Sequence, residues 1–79
     1  MSERQSIDAC IRANLEDYFR DLDGTDPAGL YDMLLKVVEK PLLDVVMQRA
    51  GQNQSRAADW LGLNRNTLRK KLVEHQLLK

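Results

Sequence analysis

The chain has 79 residues, enough for one domain and too few to bury a large core unaided. Its single cysteine, Cys10, excludes an internal disulfide, and Cys10 with His75 supplies two soft ligands where a structural zinc normally takes four. The net charge of zero conceals an uneven split: five bases face ten acids over residues 1–48, and seven bases face two acids over residues 49–79.

A small core without disulfide or metal points to a partner chain as the missing support. A lone cysteine and a polar N-terminus without an apolar stretch fit a cytoplasmic protein with no signal peptide. No run approaches the roughly 18 apolar residues that cross a membrane. The basic tail suggests a polyanionic partner, although segregation of solvated charge gives the same pattern.

The first helix is expected from about Ser6 to Leu22. Ile7, Ile11, Leu15, Tyr18, Phe19 and Leu22 recur at spacings of three and four and form one apolar stripe. Ser6 suits the N-cap, and Gly24 a left-handed stop. Cys10 reads as a small apolar residue on this helix.

Asp26 and Pro27 look like the cap and first turn of a second helix, expected from about Pro27 to Ala50. It carries apolar residues around most of its circumference, among them Leu30, Leu34, Val38, Leu42, Val45 and Val46. A helix apolar nearly all round needs cover on several sides, and one chain of this size has too little material to supply it. These six residues are therefore the expected core of a homodimer interface. Pro41 removes one helical hydrogen bond, so the segment either kinks or divides there. The uninterrupted apolar pattern favours one kinked helix. Residues 1–50 would form the dimerisation helices.

Gly51-Gln52-Asn53 breaks the pattern. A third helix is expected over Gln54–Leu61 with Asn53 as cap, then a turn at Gly62-Leu63. A fourth is expected over Arg65–His75 with Asn64 as cap. No stretch alternates strictly, so the fold class is all-α, four helices per chain in one compact domain, with residues 51–79 as a separate working unit.

That unit has the pattern of a helix-turn-helix. Ala57 and Ala58 allow close approach, and Gly62 permits a sharp turn. Leu61, Leu63, Leu68 and Leu72 supply a shared core sealed by Trp60. An ordinary helical hairpin would share these features. The side chains favour double-stranded DNA. Asn64, Arg65, Asn66 and Thr67 open the last helix without an acid, as on a helix whose first turn meets base edges. Arginine can pair with guanine and asparagine with adenine. Arg65 and Arg69 share a face, while Lys70 and Lys71 suit phosphates. Asn53, Gln54 and Ser55 could hold another phosphate at the start of the third helix. The competing reading of the basic residues is a solvated helix face. His75 is expected to be exposed.

The run from Asn53 to Ala58, Gly62-Leu63-Asn64-Arg65 and Thr67 to Leu72 closely resembles the Fis family of bacterial nucleoid-associated, DNA-bending proteins. Pro41-Leu42-Leu43-Asp44, Val46-Met47-Gln48, Leu30-Tyr31, Glu39, Tyr18-Phe19 and Leu22 extend the resemblance over nearly the whole chain. The C-terminal portion also resembles the DNA-binding domains of NtrC-type activators. The resemblance implies an intertwined dimer whose long second helices cross. It also implies two recognition helices too close for straight duplex, so that binding bends the DNA. It makes Arg65 the main base-reading residue with Asn64 beside it. Asn53, Ser55, Thr67, Arg69, Lys70 and Lys71 would hold phosphates or groove edges.

Two features depart from that family. Only about six residues precede the first helix, too few for the mobile β-hairpin arm through which its best-known members activate DNA invertases. Asn66 stands where the family often has glycine, and is expected either to adjust the start of the recognition helix or to add a contact. A protein-interaction module with an acidic partner is the alternative function. No enzyme is expected: one histidine, one cysteine and glycines at 24, 29, 51 and 62 give no nucleophile pair, no phosphate loop, and no cofactor, metal or small-molecule site.

Overall fold

The computed structural model describes residues 6–78. Four α-helices follow one another: α1 Ile7–Leu22, α2 Leu30–Arg49, α3 Gln54–Leu61 and α4 Arg65–Glu74. Among the described residues there is no strand. The chain divides into two units, residues 1–30 and 31–79.

The first unit is built on α1. Ser6 caps it as expected, its hydroxyl accepting from the Ala9 N–H at 3.0 Å. Asp23, rather than Gly24, takes the left-handed position that ends the helix, at φ 50°. Gly24 follows with a positive φ of its own. Arg12 pairs with Asp8 at 2.6 Å and Arg20 with Asp17 at 2.7 Å, both exposed and therefore of little energetic weight. Tyr18 and Phe19 meet edge to face with ring centroids 6.1 Å apart. The apolar stripe is present, yet no residue of α1 is buried. Cys10 is exposed and not part of a core.

In the second unit α2 begins three residues later than expected. Pro27 suits a first helical position, but Gly29 adopts φ 65°, a left-handed backbone that α-helical geometry does not tolerate, so the helix starts at Leu30. It then runs through Pro41 as one helix. It ends in a pair of left-handed residues, Gly51 at φ 66° and Gln52 at φ 63°. Their N–H groups return to Gln48 O at 3.1 Å and Met47 O at 2.8 Å, which satisfies carbonyls the helix end would otherwise strand.

The core of this unit joins the end of α2 to the two short helices. Leu43, Met47 and Ala50 pack with Ala57 and Ala58 of α3 and with Leu68 and Leu72 of α4. The two alanines are nearly inaccessible, which is the close approach their size permits. Leu61, Leu77, Leu78 and Val46 line the margin. Trp60, expected to seal this core, is instead 57% exposed. The buried face of α3 is taken by Ala57 and Ala58, and Trp60 lies off it. Among the described residues no helix is long and apolar enough to cross a membrane.

Candidate nucleic-acid interface

Asparagine caps open both short helices. Asn53 Oδ1 accepts from the Arg56 N–H at 3.1 Å, and Asn64 Oδ1 accepts from the Asn66 N–H at 2.8 Å. Each cap uses the amide oxygen and leaves the NH2 group as a donor. Gly62, at φ 73°, makes the turn between the helices. Its N–H reaches Asp59 O at 3.2 Å, and the Leu63 N–H reaches Ala58 O at 2.9 Å, a Schellman ending that fixes the angle at which α4 leaves.

This turn brings the two helix N-termini to the edges of one shallow cleft of about 410 Å³. Asn53, Gln54 and Ser55 line one side, and Arg65 and Arg69 line the other. Asn66, expected in the exposed first turn of α4, and Gln52, which nothing in the sequence pointed to, complete it. No carboxylate lines the cleft among the described residues. Arg65 Nη1 donates to Ser55 Oγ across it at 3.3 Å, so the guanidinium is aimed before any ligand arrives. Two arginines, side-chain amides and the starts of two helices on one cleft are chemistry that could accept an anion.

Thr67, Lys70 and Lys71 lie on a different face of α4 and line a second cleft with Val73 and Glu74. Lys70 is exposed there. Lys71 is turned toward α2, where its Nζ donates to Glu39 Oε2 at 2.7 Å. The His75 Nε2 meets the other oxygen, Glu39 Oε1, at 2.8 Å. His75 is not exposed as expected: its side chain is 8% accessible, because the last turn of α4 lies against α2. The hydrogen bond from Lys71, then that from His75, holds the Glu39 carboxyl below its ordinary pKa, and the same bond raises that of Lys71. Glu39, Glu74 and His75 bring three possible metal donors within 4.8 Å of one another. Both Glu39 oxygens are already engaged, one by an ammonium, so a cation entering there would compete with a fixed positive charge.

The residues expected at a dimer interface all lie on α2. Leu30, Leu34 and Val46 are half-buried, and Val38, Leu42 and Val45 are exposed in the single chain.

Comparison with known proteins adds independent findings. The family described as "Bacterial regulatory protein, Fis family" matches residues 34–75, which spans all but the first turn of α2 and the whole of α3 and α4. A Fis-like DNA-binding protein of Neisseria meningitidis serogroup B is 65% identical over 72 residues, 91% of each chain. One from Ralstonia nicotianae is 59% identical over 75 residues, 95% of this chain and 97% of its own. The DNA-binding protein Fis of Glaesserella parasuis is 46% identical over 78 residues, 94% of this chain and 80% of its own. With its helix-turn-helix in place and these likenesses running along nearly its full length, the chain belongs to the Fis family of bacterial regulatory proteins.

Proposed function

We propose that this protein binds double-stranded DNA as a homodimer, bends it, and acts on transcription as a nucleoid-associated regulator in the bacterial cytoplasm. The observation that carries the reading is the acid-free cleft between the starts of α3 and α4, with Arg65 held over it by Ser55. A helix entering the major groove puts its first turn on base edges, and Arg65 is then placed to pair with guanine. Asn64 stands beside it. Asn53, Gln54, Ser55 and Arg69 take phosphates on one flank, and Thr67 and Lys70 on the other. Lys71 reaches a phosphate on that second flank only by giving up its bond to Glu39.

The names of the relatives support DNA as the ligand over an acidic protein partner. The exposed apolar residues of α2 support the dimer, since Val38, Leu42 and Val45 in water on a free monomer would be a standing aggregation hazard. Two reading heads at a fixed spacing then meet a duplex that must deform to fit both.

Gel retardation over a salt series tests the reading. Binding should fall steeply with salt, with a log–log slope near −0.9 for each phosphate engaged. Arg65→Ala should weaken the preferred site by about ten-fold or more while leaving much of the nonspecific binding. An absence of binding to any duplex at low salt would contradict it.

A further inference from the structure

Asn66 is exposed in the first turn of α4 and lines the cleft together with Arg65 and Arg69. Positions 66 and 69 are three apart and positions 65 and 69 four apart, so the three side chains share one face of the helix. The local role that would account for an asparagine here is already filled. Asn64 provides the N-cap, and it is the backbone N–H of Asn66, not its side chain, that the cap takes. Among the described residues no group hydrogen-bonds the Asn66 side-chain amide. Asparagine is also a poorer helix former than alanine, so the residue brings no intrinsic gain to α4.

We propose that Asn66 is a specificity-determining residue that reads an adenine next to the base pair met by Arg65. This rests on the DNA-binding reading above. The amide offers an acceptor and a donor side by side. That matches the N6 donor and N7 acceptor that adenine shows in the major groove, and no other base shows that pair. The protein therefore carries two adjacent base readers on each recognition helix. Arg65 is held by Ser55, and Asn66 is free to rotate onto its base.

The test selects preferred sites from a random duplex library with the wild type and with Asn66→Ala. It then measures both proteins on the winning site with the adenine intact or replaced by 7-deazaadenine, which lacks the N7 acceptor. Helix propensity favours the alanine variant, so it is expected to fold, and far-UV circular dichroism checks this. The wild type should enrich an adenine at one position flanking the Arg65 contact, and the variant should lose that enrichment. The modified base should weaken the wild type by roughly ten-fold and the variant by less than about two-fold. Equal base preference in both proteins, or equal loss on the modified base, would overturn the assignment while leaving DNA binding intact. Failure of the wild type to retain any duplex would overturn both.

Discussion

Helices α1 and α4 are both amphipathic, and the single chain treats them differently. On α4, Leu68 and Leu72 are almost wholly inaccessible, packed on Leu43, Met47 and the paired alanines. On α1, Ile7, Ile11, Leu15, Tyr18, Phe19 and Leu22 form as regular a stripe, and none is buried. The same contrast runs along α2. Its last turns bury Leu43 and Met47, whereas Tyr31 near its start is 78% exposed, and Val37 and Val38 follow it into solvent. Periodicity shows that a face seeks cover, and burial shows whether the chain itself provides it. Here the end of α2 with α3 and α4 builds its own core, whereas α1 and the first turns of α2 leave their apolar residues unburied in the single chain.

Damage to the two regions should have different consequences. Leu68→Ala removes a fully buried side chain from the hydrophobic core that the described residues build within one chain. It should cost about 2–5 kcal/mol by urea unfolding. Val45→Asp, at an exposed α2 position, should cost little if the chain works alone. Under the dimer reading it places a charge in an interface, so sedimentation should show dissociation and DNA binding should weaken with it.

A smaller effect is expected at the polar contact that ties α4 to α2. Glu39→Gln should lower stability at neutral pH by about 1–3 kcal/mol, because the charged hydrogen bonds to Lys71 and His75 weaken. The sign with pH follows from the lowered Glu39 pKa. Its contribution is present above the ordinary carboxyl value near 4.5 and is lost as pH falls through the lower folded value. Thermal melts should therefore show wild type and variant converging below pH 4.5, with the wild type losing more on acidification. A constant gap between them across that range would show that the pair contributes no charge-dependent stability.

The smallest effect is at Gln76, which takes a left-handed φ of 59° where α4 ends. Its N–H returns to Val73 O at 3.0 Å, and the Leu77 N–H returns to Leu72 O at 2.8 Å. Glycine adopts this conformation without penalty, so Gln76→Gly should stabilise the protein by roughly 0.5–1 kcal/mol in the same unfolding assay.

The helices and their ends were largely readable in advance because the signals are local. Ser6, Asn53 and Asn64 cap as their side chains allow, and Gly62 ends α3 in the conformation that favours glycine. The start of α2 was misplaced because Pro27 and Gly29 send opposed signals two residues apart, and only the backbone decides between them. The cleft was half legible. Asn53, Gln54, Ser55, Arg65 and Arg69 were identifiable from chemistry, but Gln52 joins them only because the chain turns through two left-handed residues. Glu39 could not be paired with Lys71 and His75 from sequence, since 32 and 36 residues separate them and no periodicity spans that gap. Trp60 misled because size and apolarity argue for burial, while its place on α3 turns it away from the two alanines that pack.

The proposed pairing of two chains through the exposed apolar residues of α2, among them Val38, Leu42 and Val45, is what would set two recognition helices on one duplex. Sedimentation equilibrium of the protein mixed with a duplex of about three helical turns measures this directly. The predicted mass is that of two chains on one duplex, with the free protein already a dimer. A complex holding a single chain, or no complex in dilute salt, would contradict it.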